Sequence, residues 1–440
     1  MSARVRIVGG GLAGCEAALS LAAQGTPVLM VEQKPLRRSP AHRLDGPAEL
    51  VCSNSLKSVR LDSASGLFKE ELKRLGSRLL PLAEACALPA GAALAVDPAA
   101  FSARVEQALD ADPRIERVSE EVVSLPESPC IVATGPLTGA ALSAEIEAHF
   151  GQGRLSFYDA IAPSVSRESL VEGALFTASR YDKGEADYLN APLDRATYDA
   201  FTAALAAAEP YPAKDFEAGV PYFESCLPVE VIAARGAESL RFGPFRPVGL
   251  RDPVTGRRPH AVLQLRRENA EGSVWGLVGC QTRLRIGDQR RIFGMIPALA
   301  EAEFVRYGAM HRNFFLDFPS TLTPFQESRA RAGLFFAGQM TGVEGYVESI
   351  GSGLLAARHL ADRLAGRSPS LPPPETLTGA LLRFLAGQTP GRSQPMNVAF
   401  GLLPALDGPR RGKDARKQAY AERSLAALDA YLQESQDLRA

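Results

Sequence analysis

Two cysteines are the residues most suited to chemistry in this sequence. Cys226 lies in PYFESCLPVE, where the flanking prolines favour a rigid, turning segment over a core strand. Cys52 lies in ELVCSNSLKS, where Ser and Asn side chains can donate hydrogen bonds and the Lys57 ammonium would lower a thiol pKa. Glu224 and Glu230 would instead raise the pKa of Cys226. Each cysteine is therefore a candidate for packing, redox exchange or nucleophilic attack.

The other cysteines and the histidines show no spacing typical of a metal site or a redox dithiol, and the roles of Cys86 and Cys280 stay open. The six cysteines lie far apart, with no pair spaced for zinc or a redox dithiol, and the five histidines do not cluster. Cys15 falls in a helix pattern and Cys130 in a strand pattern, so both are expected in the core. We therefore expect no metal site and a cytosolic protein whose thiols are mostly reduced.

A glycine-rich turn close to the N-terminus has the spacing of a dinucleotide site. It follows the apolar strand RVRIV (4–8) and precedes a helix and a second strand, PVLMVE (27–32), that ends in Glu32. In G-x-G-x-x-G the first glycine permits the turn, the second lets the backbone approach a pyrophosphate, and the third lets the helix pack closely. A carboxylate at the end of the second strand can accept hydrogen bonds from ribose hydroxyls. The expected cofactor-binding residues here are Gly9, Gly10, Gly11, Leu12, Ala13, Gly14 and Glu32.

A late segment favours FAD over NAD as the dinucleotide. The stretch GLFFAGQMTGVEGYVESIGSG (333–353) is an apolar strand ending in Ala-Gly, followed by a glycine-rich approach to a helix. Many flavoproteins bring such a segment to the flavin, although most carry Asp where Gln339 stands. A helix beginning near Ser349 would direct its positive end at the flavin pyrimidine edge. We therefore add Gly338, Gln339 and Gly351 to the expected cofactor-binding residues.

The length and texture of the chain indicate an interrupted nucleotide-binding domain. A chain of 440 residues with 46% hydrophobic and 22% charged residues predicts a globular protein of two or three domains. The middle of the chain is rich in aromatics, prolines and arginines and has one clear helix, around ATYDAFTAALAAA. The predicted fold class is α/β, a Rossmann-like FAD-binding domain with an inserted α+β domain. The predicted boundaries are 1–169 and 326–440 for the two parts of the FAD-binding domain and 170–325 for the insertion.

Charge restricts the kinds of partner. Lys plus Arg (49) nearly equals Asp plus Glu (50), and the net charge of -1 excludes a generic nucleic-acid coat. Three basic stretches (241–260, 281–293 and 409–417) nevertheless stand out, and interleaved Phe and Arg suit phosphate contacts with base stacking. The alternative is arginines on solvated loops. The candidate RNA-binding residues are Arg246, Arg251, Arg283, Arg285, Arg290, Arg291 and Lys413.

The N-terminal sequence argues against export and membrane insertion. MSARVRIVGGGLAGCEAALS has no signal-peptide order of charge, apolar run and cleavage site. No apolar stretch reaches the roughly 18 residues that a membrane helix needs. We expect a cytoplasmic protein with no membrane partner.

Several longer motifs resemble one family closely. GGGLAGCEAA, PAHRLDGPAELVCSNSLKS, YDKGEADYLNAPL, AKDFEAGVPYFESCLPVEVIAARGAESLRFGPFRPVGL, GCQTRLRIGDQRRIFGMIPAL and GQMTGVEGYVESIGSGLLAA resemble the TrmFO family of folate- and FAD-dependent tRNA (uracil-5-)-methyltransferases, over nearly the whole chain. Gly10 and Ala191 depart from the residues common there, which are Ala and Cys. More distantly, the chain resembles the GidA (MnmG) flavoproteins that modify wobble uridines, which lack the PYFESCLPVE segment. The resemblance implies a GidA-type flavoprotein fold.

The resemblance also implies a reaction and roles for particular residues. Methylenetetrahydrofolate would supply the one-carbon unit for 5-methyluridine in the tRNA T-loop, and FAD, recharged by NAD(P)H, would be carrier and reductant. Cys226 matches the nucleophile that adds at uracil C6, and Cys52 matches the second functional cysteine, a base or a flavin-side thiol. Tyr346 would stack the folate pterin against the flavin. The alternatives are a GidA-like wobble-uridine enzyme, a thiol-disulfide flavoprotein reductase using Cys52 and Cys226, and an FAD-containing RNA-binding protein without catalysis.

Overall fold

The computed structural model describes residues 4–39, 41–151, 154–182, 187–209, 227–391, 393–407 and 412–437. The strands are β1 (Val5–Val8), β2 (Val28–Glu32), β3 (Ser55–Ser58), β4 (Ala87–Leu88), β5 (Ala93–Val96), β6 (Ile115–Ser119), β7 (Cys130–Val132), β8 (Arg154–Ile161), β9 (Ser164–Ser166), β10 (Phe176–Thr177), β11 (Tyr188–Leu193), β12 (Ala261–Arg267), β13 (Val274–Leu277), β14 (Phe304–Arg306), β15 (Ala309–Leu316) and β16 (Leu334–Phe336). The helices are α1 (Leu12–Ala23), α2 (Ala64–Arg74), α3 (Leu79–Glu84), α4 (Pro98–Ala111), α5 (Ala140–Phe150), α6 (Arg195–Ala207), α7 (Val229–Ala234), α8 (Ser239–Phe242), α9 (Ile286–Phe293), α10 (Phe318–Thr321), α11 (Tyr346–Leu364), α12 (Leu377–Ala386) and α13 (Lys413–Asp437).

A parallel sheet in the order β16-β7-β1-β2-β6 forms the first layer. The strands β1, β7 and β16 are short and apolar, as expected of parallel strands that are buried on both faces, whereas the edge strand β6 is largely exposed. β16, from the late segment, pairs with β7, and β7 pairs with β1, both in parallel. The Rossmann-like arrangement predicted from the glycine turn is therefore confirmed, and the late strand belongs to the same sheet.

Helix α11 lies directly against α1, and glycines allow the close approach. A Cβ at Gly353 would lie 2.2 Å from the Ala13 carbonyl oxygen, so no larger residue fits there. A Cβ at Gly351 would lie 2.8 Å from the Phe68 ring and 3.1 Å from Leu72. Both glycines therefore serve helix packing inside the core.

The middle of the chain builds an antiparallel sheet in the order β10-β11-β12-β13-β9-β14. One face is apolar: Leu263 and Leu265 of β12 pack with Phe201 of α6 in a second core cluster. Because side chains alternate along a strand, Gln264 and Arg266 lie on the opposite, polar face. Val262, on this second face, packs with Phe176 and Leu250 in a small third cluster.

The two cores meet at a pair of antiparallel strands. β8 pairs with β15 along their full length, from Ala309↔Ile161 to Leu316↔Arg154. Buried residues of the second cluster extend from Val165 to Leu299, whereas Phe314 and Leu316 belong to the first cluster. The boundaries at 169/170 and 325/326 stay a prediction.

A buried histidine on α11 makes stability depend on pH. His359 is 1% exposed and donates from Nδ1 to the Phe325 carbonyl (2.9 Å), and burial lowers its pKa to about 4. Between about pH 6.5 and 4, His359 is therefore protonated in the unfolded chain but neutral in the folded protein. The free energy of unfolding should fall as the pH falls through this window, by about 3 kcal/mol in all.

Urea unfolding of wild type and His359→Asn at pH 7.5 and pH 5 measures this effect. Asparagine keeps a donor for Phe325 but does not titrate, so the variant should lose less stability on acidification. The comparison cancels the contributions of Glu16 and Glu71, whose pKa values are raised by burial in both proteins. Equal losses in the two proteins would contradict the assignment.

Candidate active site

A cavity lies at the carboxyl edge of the parallel sheet, where ligands bind in doubly wound folds. It encloses about 1120 Å³ including its open mouth, comparable with the roughly 300–1,000 Å³ of small-molecule sites. Predicted residues from both ends of the chain meet there: Gly9, Gly10, Gly11, Leu12, Ala13, Glu32, Gly338, Gln339 and Tyr346. Residues 133–139, which follow β7, complete one wall. The available signal for this third segment is the apolar run CIVATG (130–135), which ends in a glycine.

The glycine turn is sterically specified. Gly9 has φ +106° and a Cβ there would lie 2.5 Å from the Ala133 carbonyl oxygen. A Cβ at Gly14 would lie 1.9 Å from the Gly9 carbonyl oxygen, so α1 packs against the turn. At Gly11 a Cβ would meet nothing within 4 Å, so the space beside it is open. The first and third glycines shape the protein, and the second borders the cavity.

The Glu32 carboxylate is held in place by backbone donors. It accepts from the Gly10 N–H and from the Lys34 N–H, the latter at 3.0 Å. Glu32 thereby connects the end of β2 to the glycine turn while lining the cavity.

The late segment closes the cavity from the side of β16. Gly338 has φ +81°, and its N–H donates to Ser352 Oγ at 2.9 Å. Gln339, at the position where many flavoproteins have Asp, donates from Nε2 to Glu344 (2.7 Å). Gly351 is not among the residues lining the cavity; it packs against Phe68 and Leu72 instead. The reason is that α11 begins at Tyr346, three residues before the expected start.

A polar wall of the cavity was not singled out from the sequence. Lys34 and Glu49 form an ion pair (3.4 Å) with side chains 3% and 5% exposed, and Lys34 Nζ also donates to the Gly46 carbonyl (2.6 Å). His42 lies beside them, with Nδ1 2.7 Å from Ser39 Oγ, and burial lowers its pKa. The motif PAHRLDGPAEL contains His42 and Glu49 and was the available signal.

Tyr346 joins the cavity to the segment that carries Cys52. Its hydroxyl oxygen accepts from the Cys52 N–H (2.7 Å) and the Ser53 N–H (3.0 Å). Tyr346 is the first residue of α11. Tyr346 and Val51 both line the cavity. The phenol therefore orients the backbone of a half-buried cysteine at the cavity wall.

Lys57, five residues from Cys52, has partners on α11 and at Asn397, and its effect on the Cys52 thiol stays a prediction. Its ammonium lies 3.0 Å from a Glu348 carboxylate oxygen and 2.9 Å from the Asn397 amide oxygen. Glu348 is fully buried in the first turn of α11. Lys57 thus ties β3 to α11, and its charge is balanced by Glu348.

The inserted sheet holds the Cys52 segment from the other side. Asn54 accepts from Arg266 Nε (2.9 Å) and donates to the Arg267 carbonyl (2.9 Å). Asn54 is 2% exposed, so both bonds are shielded from water. Cys52 therefore lies where the nucleotide-binding region and the inserted sheet meet.

The remaining described cysteines are buried and poor thiolates. Burial raises the pKa of Cys15 to about 12 and that of Cys130 to about 11. It also raises the pKa values of Cys86 and Cys280. The expectation that Cys15 and Cys130 are core residues is confirmed by their 0% exposure.

Cys226 and Glu224 lie outside the described residues, but the chain immediately after them is described. Glu230 is 5% exposed, and its carboxylate accepts from Thr282 Oγ1 (2.8 Å) and the Arg283 N–H (2.9 Å). Burial raises the pKa of Glu230, despite these donors. Glu230 thus fastens α7 to the stretch 281–283.

The candidate RNA-binding arginines fall into two groups. Arg246 and Arg251 are exposed on the loop after α8. The second group lies on α9 or on the turn before it: Arg283, Arg285, Arg290 and Arg291. Within this group Arg290 lies over the Tyr307 ring (5.3 Å), and Arg291 pairs with Asp288 (2.7 Å). The side chain of Lys413 is outside the described residues.

The described residues contain neither a membrane-spanning helix nor a metal-binding cluster. No helix among them is both long and apolar enough to cross a membrane. The same part of the chain contains no group of three or more His, Cys, Asp or Glu side chains arranged to hold a metal ion.

Comparisons with known proteins identify the family. The profile of the family described as Glucose inhibited division protein A matches residues 4–368. Three curated relatives are named methylenetetrahydrofolate--tRNA-(uracil-5-)-methyltransferase TrmFO. The protein from Heliobacterium modesticaldum is 51% identical over 98% of both chains, and that from Geobacter sulfurreducens is 52% identical over 98% of this chain and 99% of the relative. The protein from Anaeromyxobacter sp. strain Fw109-5 is 56% identical over 96% of this chain and 94% of the relative. Among solved structures, Aquifex aeolicus GidA shares the fold, with a TM-score of 0.70 at 17% identity over 97% of this chain and 73% of that one. The chain therefore belongs to the glucose inhibited division protein A family and, within it, to the TrmFO proteins.

Proposed function

We propose that this protein is a folate- and FAD-dependent tRNA (uracil-5-)-methyltransferase that forms 5-methyluridine in the T-loop. The observation that carries the proposal is the identity of 51–56% with curated TrmFO proteins over nearly the full length of both chains. The similarity to GidA, at 17% identity, supports only the shared fold. A wobble-uridine activity is therefore the weaker candidate.

The residues of the cavity fit FAD. Helix α1 begins at Leu12, and its N-cap, Gly11, has no side chain to cap it, so the first N–H groups are available to a pyrophosphate beside open space. Glu32 lies at the end of β2, where a ribose would bind. Gly338 and Gln339 bring the late segment to the same cavity. When bound, FAD supplies the reducing equivalents that convert the one-carbon unit to a methyl group, and NAD(P)H restores them.

The chemistry of uracil explains the need for a protein thiolate and a base. C5 of uracil is a poor nucleophile, but addition of the Cys226 thiolate at C6 gives an enolate whose C5 can attack the methylene electrophile. A base must then remove the C5 proton, and the Cys226–C6 bond must break to restore the thiolate and release the modified base. A role for Cys52 near these atoms is supported by its contact with Tyr346 at the cavity wall. We retain both possibilities for Cys52, the base and the flavin-side thiol.

Radiolabel transfer tests the proposal. Label from the methylene group of methylenetetrahydrofolate should appear in a T-loop uridine when FAD and NAD(P)H are present. A tRNA with cytidine at that position should remain unlabelled, whereas a tRNA altered only at its wobble uridine should be labelled normally. Label donated only by S-adenosylmethionine, or purified protein that stays colourless after incubation with FAD, would refute the proposal.

Tyr346 variants separate two roles of this side chain. Tyr346→Phe keeps the ring but removes the acceptor for two backbone N–H groups, each costing about 1–3 kcal/mol if left unsatisfied. We expect kcat/KM for methyl transfer to fall about ten-fold, and Tyr346→Ala, which also loses the ring, to fall about a hundred-fold. Steady-state assays with varied folate measure both. The control is Tyr431→Phe, which removes a hydroxyl from α13 that contacts Ser370. This variant should leave the activity unchanged. Wild-type activity in Tyr346→Phe would leave only a stacking role.

A further inference from the structure

A strained and exposed tyrosine lies on the inserted sheet, outside the cavity. Tyr181 has φ +60° and ψ 25°, a left-handed conformation that is unfavourable for a bulky residue. It is 58% exposed, although aromatic side chains usually gain stability by burial. Strained backbone of this kind concentrates at functional sites, because packing elsewhere must maintain it. Tyr181 belongs to YDKGEADYLN, a motif that the proposed reaction does not use.

The surrounding backbone holds the ring with one face toward solvent. The Tyr181 N–H donates to the Gly249 carbonyl at 2.8 Å. A Cβ at Gly249 would lie 3.0–3.1 Å from Cδ1, Cδ2 and Cε2 of the ring. Because Cδ1 and Cδ2 lie on opposite sides of the ring, near-equal distances put Gly249 over its face. Gly249 therefore supports one face of the ring, and the opposite face accounts for the exposure.

Two arginines lie near Tyr181, and the described residues show no carboxylate bonded to either. Arg180 donates from Nε to Gln264 (2.9 Å) and from Nη1 to the carbonyls of Val248 (2.9 Å) and Arg246. Each of these acceptors is neutral. Arg246 is exposed, and the described residues provide no ion pair for it. The carboxylate next in sequence, Asp252, caps its own turn by accepting from Val254. The Arg180 guanidinium contacts the backbone of Arg246, so two arginines contribute positive charge to this part of the surface, and positive charge of this kind favours an anion.

This site and the Cys52 segment lie on the same face of the sheet. Gln264, which holds Arg180, is two residues from Arg266, which holds Asn54. Residues two apart on a strand share a face and lie about 7 Å from each other. A polymer bound at Tyr181 can therefore extend toward Cys52.

We propose that Tyr181, Arg180 and Arg246 form a binding site for an unpaired T-arm nucleotide adjacent to the uridine that is methylated. The exposed ring face would stack on the base, and the guanidinium groups would bind its phosphate. Every base has a face that can stack, and single-stranded RNA is commonly bound in this way. The assignment rests on the proposed function, since it takes tRNA as the substrate.

Binding of a T-arm hairpin RNA tests the site. Tyr181→Ala should raise the Kd about ten-fold, whereas Tyr181→Phe should stay within about two-fold of wild type. Alanine and phenylalanine both carry a Cβ, so the backbone strain at position 181 is the same in the two variants. The difference between their Kd values therefore measures the contribution of the aromatic ring. Arg246→Gln should weaken binding and lower the slope of log K against log salt by about one. Arg195→Gln, which removes an exposed arginine from α6 on the other face, should change neither quantity.

Hairpins with one abasic nucleotide complete the test. An abasic substitution at the stacked position should weaken wild-type binding about ten-fold and leave Tyr181→Ala unaffected, as expected for a coupled pair. If wild type neither binds the hairpin nor transfers label, the proposed function fails. If wild type does both while Tyr181→Ala binds equally well, or if every abasic hairpin loses the same affinity in both proteins, only the Tyr181 site is refuted. A loss shared by Tyr181→Phe and accompanied by a lower melting temperature would assign the ring a structural role and also overturn the site.

Discussion

Cys226→Ser is expected to abolish methyl transfer, with a loss of more than about a thousand-fold, while FAD and tRNA binding remain intact. A serine hydroxyl is far less acidic than a thiol, so it cannot supply the anion that adds to uracil C6 near neutral pH. Label incorporation into tRNA measures the loss. The visible flavin spectrum and a hairpin-binding isotherm measure what should be retained.

Cys280→Ser is the matched control for this substitution. Cys280 is fully buried in the inserted region, and burial raises its thiol pKa. The same atom exchange buries a hydroxyl and costs about 1–3 kcal/mol of stability, but it removes no reactive thiolate, so the folded protein should keep turnover within about two-fold of wild type. Residual activity of Cys226→Ser above a few per cent, or equal losses in both variants, would exclude Cys226 as the nucleophile. The Glu230 carboxylate is held by Thr282 and Arg283, and its effect on the Cys226 thiol stays a prediction.

Gly14→Ala is expected to yield protein that lacks FAD and is markedly destabilised. Its Cβ would lie 1.9 Å from the Gly9 carbonyl oxygen, and neither backbone can move without separating α1 from β1. Overpacking of this kind costs about 1–3 kcal/mol or more. The ratio of flavin to protein absorbance and a thermal unfolding scan measure the two effects.

Gly11→Ala distinguishes the fold from the cofactor site. Gly11 has φ −76°, which alanine adopts readily, and its Cβ would contact no protein atom within 4 Å. The apoprotein should therefore unfold at the wild-type temperature, whereas FAD should bind at least about ten-fold more weakly, because the methyl group occupies the approach to the pyrophosphate. Wild-type FAD affinity in Gly11→Ala would mean that the dinucleotide does not lie against this turn.

Local patterns in the sequence were sufficient for the nucleotide-binding fold. Strand, glycine turn, helix and second strand follow one another within 4–32, and each depends on contacts between near neighbours, such as Gly14 against Gly9. The late strand β16 was also predictable, because an apolar run ending in Ala-Gly is typical of a buried strand followed by a tight turn. The same period-based reasoning misplaced the start of α11 by three residues, since Gly345 at its N-cap, with φ +114°, marks a boundary that hydrophobic pattern does not reveal.

The sequence by itself determined the family, the glycine turn and the identity of the two candidate thiols. Only the tertiary structure decided how the side chains around them are used. Lys57 is five residues from Cys52 yet pairs with Glu348, and the Cys52 N–H is held by Tyr346, 294 residues away. Hydrogen bonds and ion pairs depend on distances of a few ångströms in space. Tyr346, which contacts the Cys52 segment, follows the inserted sheet in sequence, so spacing along the chain does not reveal this contact. Spacing along the chain therefore predicts which residues carry chemistry, while packing sets their partners and their pKa values.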